Sequence, residues 1–178
     1  MIADRLPLAL EAVTLAGDRP VAVLHPARDA DLSALPRERV LVVSPMATVC
    51  AGFAARGYDV SPQVPKDARF AATIVCLTRA RAEAQALVAA AMAHTDGIVI
   101  VDGQKTDGAD SMLRALRARV EVSAPISKAH GKIYWTQGGA DFSDWALGPE
   151  LQPGGFWTAP GVFSADGVDP ASELLVQA

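Results

Sequence analysis

Cationic side chains are the ones this chain gathers into a pattern. Lys105 sits in the stretch DGQKTDGADSM (102–112), Arg114 and Arg117 follow at helical spacing, and Lys128, His130 and Lys132 surround a KAHG turn. Placed on one face, they would hold nucleic-acid phosphates, with Tyr134 and Trp135 beside them to stack on bases. A solvated helix face next to two core aromatics accounts for the same residues, and both readings stand at this point. Asp102, Gln104, Lys105 and Asp107 could likewise grip a ligand, or Gly103 and Gly108 could simply shape a strand-to-helix turn capped by Asp110 or Ser111. Arg79 and Arg81 open a further helix, where cations oppose the helix dipole, which marks them as candidates for an outside contact.

Other chemistry is sparse. Cys50 and Cys76 lie in apolar runs (ATVCAGFAA, TIVCLT) without a CxxC or a neighbouring His, so they read as buried reduced thiols. His25, His94 and His130 are scattered and lack metal-ligand spacing. No metal ligand and no catalytic residue is assigned.

These residues need a scaffold, and 178 residues suit one domain or a domain with an appendage. With 51% hydrophobic residues the chain has material for a real core. No apolar run reaches the ~20 residues of a membrane span, and the N-terminus lacks signal-peptide order, so a soluble cytoplasmic protein is expected. The net charge of −4 argues against a stand-alone nucleic-acid binder, leaving only a local basic patch for such contacts.

Periodicity predicts a helix over 4–16, closed by Gly17, then two apolar strands, VAVLH (21–25) and RVLVV (39–43). A small-residue helix over 44–57 leads to a weak edge strand, YDVSPQV (58–64). Buried strands FAATIVCLT (70–78) and GIVIVDG (97–103) alternate with helices over 79–94 and from Asp110 or Ser111 to Arg119. VEVSAPISKAHGKIYWT (120–136) reads as an antiparallel hairpin, and 137–155 as a linker or irregular cap. Unbroken apolar strands alternating with helices imply a doubly wound, mostly parallel α/β sheet. A closing antiparallel hairpin is the order of class I (Rossmann-like) methyltransferases rather than of dinucleotide dehydrogenases.

Ligands of such sheets bind beyond the carboxyl ends of the strands. The turn after RVLVV, Ser44-Pro45-Met46-Ala47-Thr48, has no glycine and a proline that lacks an N–H. YDVSPQV offers Ser61 and Gln63 where an acid should grip a ribose, and FAATIVCLT ends Cys76-Leu77-Thr78-Arg79 where a base-methylating enzyme carries Asn-Pro-Pro-aromatic. The scaffold is expected without the cofactor chemistry, so no cofactor-binding residue is assigned.

The runs IVIVDGQKTDGADSMLRALRARVEVSAPISKAHGKIYW and FWTAPGVFSADGVDPASELL resemble the ribosomal RNA small-subunit methyltransferase C family, from about residue 20 onward. The most specific parts are Gly103-Gln104-Lys105 with Gly108, Ser127-Lys128-Ala129-His130-Gly131, and Pro160-Gly161-Val162-Phe163-Ser164. The resemblance implies tandem class I domains that methylate a guanine amine of ribosomal RNA with S-adenosylmethionine, the N-terminal copy having lost its cofactor site. It also implies that Pro160 to Ser164 mark the threshold of the catalytic domain, and that the residues from Asp166 to Leu175 lead into its first helix. The expected layout is then a degenerate methyltransferase-like domain (1–136), a linker (137–155) and the start of a catalytic domain (156–178). By this reading the chain is inactive alone and holds no cofactor. Its partners are ribosomal RNA, through the parent enzyme, and the missing catalytic half, with Pro160 to Ser164 its least anchored part. Two alternatives stay open: a minimal active methyltransferase with a divergent pocket near Ser44–Thr48 and Thr78, or a module for domain docking or homodimer formation.

Overall fold

The computed structural model describes residues 2–152, 155–162, 164, 167 and 169–177. Its centre is a seven-stranded sheet, built from β1 (Val21–Leu24), β2 (Val40–Val43), β3 (Asp59–Ser61), β4 (Phe70–Cys76), β5 (Thr95–Gln104), β6 (Ile126–Lys128) and β7 (Gly131–Gln137). The spatial order is β3-β2-β1-β4-β5-β7-β6, parallel throughout except for β7, which runs antiparallel to β5 and β6. This is the doubly wound methyltransferase-type sheet with its closing hairpin. β1 pairs with both β2 and β4, so strand order reverses there.

β1, β2, β4 and the middle of β5 are almost wholly apolar because both faces are covered. On one face, α3 (Arg81–His94) and α4 (Ala109–Arg117) bury Val88, Met92, Leu113 and Leu116 against Leu24, Val75, Val101 and Tyr134. On the other, α1 (Ile2–Ala12) sets Ile2, Leu6 and Ala9 at helical spacing against Ile100 and Ile133. α2 (Ala47–Ala54) adds Phe53 beside Val40 and Val42 on that face. The β1-to-β2 connection has no α-helix. Proline-punctuated residues 25–39 cross instead, with Leu32 and Leu35 buried.

Several local expectations shift. α1 ends at Ala12, four residues short of the predicted end. The predicted strand from Val120 forms only at Ile126, because Pro125 has no N–H for a ladder. Ser123 substitutes for it, exchanging bonds with the Trp135 backbone at 2.9 and 3.0 Å, and Thr136 Oγ1 donates to the Glu121 carbonyl at 2.6 Å.

Residues 137–145 fold back onto the core. Phe142 is 3% exposed and meets Trp145 edge-on at 4.8 Å, while the Arg119 guanidinium stacks 4.4 Å from the Phe142 ring and pairs with Asp144 at 2.7 Å. Beyond them a small hairpin, β8 (Glu150–Leu151) with β9 (Trp157–Thr158), precedes α5 (Pro170–Gln177). Asp169 caps α5 by accepting from the Ser172 N–H at 3.0 Å. Leu174, Leu175 and Val176 are exposed on it. Within the 160–164 run, Pro160 lines a cleft with Ala82 at the start of α3, and Gly161 (φ 87°) lies against the Glu83 carboxyl, which would have to move aside for a Cβ. Phe163 and Asp166 lie outside the described residues.

Candidate functional site

The sheet reversal at β1 fixes where a doubly wound fold would take a ligand. It also corrects a sequence-based placement. The turn that faces the crevice follows β1, not β2, so its residues are His25-Pro26-Ala27-Arg28-Asp29, and the position for a ribose-gripping acid is Ser44 at the end of β2. RVLVV misled because it is as apolar as the central strand, and periodicity carries no spatial order.

A crevice of about 320 Å³ lies at this point, lined among others by Arg5, His25, Cys76, Asp102 and Gln104. His25 adopts φ 55°, and its N–H is engaged by the Val43 carbonyl at 2.9 Å. Pro26 follows and offers no N–H. Ser44 is buried, its N–H donating to the Ser61 carbonyl at 3.0 Å and its hydroxyl accepting from the Met46 N–H at 3.3 Å. Asp102 is gripped bidentately by Arg5, Nε to Oδ1 at 2.6 Å and Nη2 to Oδ2 at 2.9 Å. Burial pushes the Asp102 carboxyl above its usual range, and the Arg5 bonds pull against that. Cys76 also faces this crevice, and burial followed by the Asp102 charge pushes its thiol far up. These residues do not fit S-adenosylmethionine: the turn after β1 has no glycine to let the backbone approach, its His25 N–H is engaged and Pro26 has none, and Ser44 rather than an acid stands at the ribose position.

The second concavity holds four of the six basic residues singled out in the sequence. Lys105, Lys128, His130 and Lys132 line a pocket of about 340 Å³ with Ala109, Asp110, Ser127 and Gly131. Lys132 Nζ pairs with Asp110 and holds that carboxyl below its usual range. A smaller cleft of about 210 Å³, lined by Arg79, Arg81, Asp107 and Ser111 among others, shares Lys105 with it. The two therefore adjoin along the carboxyl edge.

Arg114 and Arg117 stand outside this pocket on the exposed side of α4, where Arg117 Nη2 donates to the Ser123 carbonyl at 3.4 Å. Tyr134 is fully buried, its hydroxyl donating to the Ala109 carbonyl at 3.1 Å, so it cannot stack on a base. Trp135 is half-buried against the α1-side core, across the sheet from α4. Asp107 joins a reciprocal cap with Gln104 at the short 3₁₀ turn Lys105–Asp107.

Sequence reasoning missed Arg5. It is 1% exposed, and its Nη1 reaches past Asp102 to the Lys128 carbonyl at 2.9 Å. The available signal was a cation one residue from Leu6 on the apolar stripe of α1. A cation so placed needs a buried anion.

No protein-family model matches the chain, and no curated protein matches it in sequence. Its fold does have solved counterparts. The T. thermophilus 16S rRNA methyltransferase RsmC, solved with AdoMet and guanosine, superposes with a TM-score of 0.70 at 21% identity, covering 98% of this chain and 51% of that one. An Escherichia coli rRNA methylase gives 0.55 at 14% identity over 77% of this chain and 64% of its own. The 16S rRNA methyltransferase RmtF, solved with S-adenosyl-L-homocysteine, gives 0.54 at 14% over 76% and 62%. This chain thus spans about half the length of the RsmC chain. Strand order, closing hairpin and these superpositions agree that the chain has the class I methyltransferase fold.

Proposed function

We propose that this chain is a methyltransferase-like domain without a cofactor site of its own, working as the non-catalytic half of an S-adenosylmethionine-dependent ribosomal RNA guanine methyltransferase. Its task would be to support the catalytic half and to present RNA. The observation that carries this reading is the β1 turn: a left-handed His25 with an engaged N–H, followed by Pro26, where a cofactor would require open backbone. A likeness that takes in nearly all of this chain and only half of RsmC, whose structure carries AdoMet and guanosine, supports a role as part of a larger enzyme. Trp157, Leu174, Leu175 and Val176, which this reading assigns to the start of the catalytic half, are exposed and supply apolar surface that the rest of that half would cover.

Isothermal titration of this chain with S-adenosylmethionine tests the reading. We expect no binding heat at millimolar ligand and no transfer of labelled methyl to ribosomal RNA by this chain alone. A micromolar dissociation constant, or label in the RNA, would overturn it in favour of a minimal active enzyme with a divergent pocket.

A further inference from the structure

The tip of the β6–β7 hairpin combines three features that a plain surface turn does not need together. Ala129 and His130 are consecutive non-glycine residues with φ 49° and 58°, conformations that L side chains disfavour and that Asn-Gly ordinarily fills in such two-residue turns. Strain of this kind persists where surrounding groups over-determine it, and it concentrates at binding sites. Here the surroundings are specific. Arg5 Nη1 donates to the Lys128 carbonyl at 2.9 Å, and the Lys105 N–H donates to the His130 carbonyl at 3.0 Å. The Gln104 amide, with its nitrogen turned to the hairpin, donates to the Ala129 and His130 carbonyls at 3.0 Å each. Gly131 leaves room for this clasp, since a Cβ there would stand 2.6 Å from Arg5 Cζ and from the Gly103 carbonyl oxygen.

The clasp turns cations into a pocket. With their carbonyls held inward, Lys128 and His130 share one concavity with Lys105 and Lys132, which arrive from the end of β5 and from β7. Asp110 is occupied by Lys132 and Asp107 by Arg79, and the charge of Asp4 on α1 is felt by Lys128, so these acids offset part of the positive charge. The first residues of α4, Ala109 and Asp110, open on the same space and add the positive end of that helix.

We propose that this pocket seats a backbone phosphate of an RNA strand, with Lys105 and Lys128 as its contacts and Arg5 as the positioning residue that fixes the turn. The proposal rests on the reading of this chain as an RNA-presenting domain and assigns the contact to the pocket rather than to Arg114 and Arg117. Arg79 and Arg81 in the adjoining cleft extend the same track along the sheet edge.

Fluorescence anisotropy of this chain with a short labelled RNA stem-loop, read between about 50 and 200 mM salt, tests the proposal. Lys105→Ala and Lys128→Ala should each weaken binding about fivefold to tenfold and lower the salt slope by about one, while Arg117→Ala stays within about twofold of wild type. Arg5→Lys keeps the charge but loses the fork, so it should weaken RNA binding with the salt slope unchanged, and it should shift the amide resonances of residues 128–131. Gln104→Ala provides the same test should Arg5→Lys fail to fold. Inorganic phosphate should compete only as well as chloride of equal ionic strength.

Wild-type affinity in both lysine variants, a loss confined to Arg117→Ala, or no RNA binding by the wild type would each overturn the pocket. Selective displacement by millimolar phosphate would make it a small-anion site and overturn the strand assignment. A cofactor titration on the same samples separates the two ideas. Cofactor binding together with RNA loss in the lysine variants would sink the non-catalytic reading alone. Absent cofactor binding with unchanged RNA affinity would sink the pocket alone.

Discussion

Arg5 and Asp102 are the pair on which the carboxyl edge depends. Removing a single partner from a buried ion pair leaves a charge without compensation, which costs about 3–5 kcal/mol. Arg5→Ala should therefore lower the urea-unfolding free energy by that order, whereas Arg114→Ala, on the exposed side of α4, should move it by less than about 0.5 kcal/mol. Equal effects would show that the pair is not the clamp its geometry describes. Cys76 gives a second residue-level test. A thiol whose ionisation is pushed far up by burial has little thiolate at neutral pH, and thiolate is the reactive form. Cys76 is half-buried on the crevice, so the native thiol should react with an aromatic disulfide reagent at pH 8 more slowly than the same thiol in the unfolded chain, with mass spectrometry of tryptic peptides as the readout.

The elements differ in how tightly they hold. Residues 138–145 contain no strand or α-helix, yet Phe142 is buried in the main core. Phe142→Ala should cost about 3–5 kcal/mol of unfolding free energy, as core aromatic truncations do. α5 projects Leu174, Leu175 and Val176 outward, so Leu175→Asp should leave that free energy within about 0.5 kcal/mol of wild type. The contrast between the two explains what could be read from the sequence. β1, β2, β4 and β5 and helices α3 and α4 were legible because apolar periodicity and the covered sheet agree about them. The QGGADFSDWALG stretch was opaque: its single burying aromatic sits among glycines and aspartates, and its packing depends on Arg119, Asp144 and Trp145, which only the fold brings together. The candidate site was half legible. Lys105, Lys128, His130 and Lys132 could be named from spacing, whereas their carbonyl clasp needed Arg5 from the far end of the sequence. The crevice turn was assigned to the wrong strand because strand order is a long-range property.

At the scale of the molecule, several exposed carboxylates are held in their charged form. Lys132 lowers the pKa of Asp110 and Arg119 that of Asp144, while the Ser143 and Ser33 amides lower those of Asp141 and Asp31. A folded pKa below the unfolded value stabilises the protein above the unfolded pKa of about 3.9, and that contribution fades as pH falls through the folded value. Stability should decline below about pH 4, and Asp144→Asn should flatten the decline in urea midpoints measured from pH 6 to pH 3. An unchanged slope would assign the acid sensitivity elsewhere. The Arg5 clamp has one more consequence, which concerns the order of assembly. It joins residues 97 positions apart to Asp102 and 123 apart to the Lys128 carbonyl, so the first helix of the chain finds its anchor only after the hairpin has been synthesised. Loop closure over such spans slows folding. During synthesis α1 therefore emerges well ahead of its anchor, and until that anchor forms its buried-side arginine stays in water.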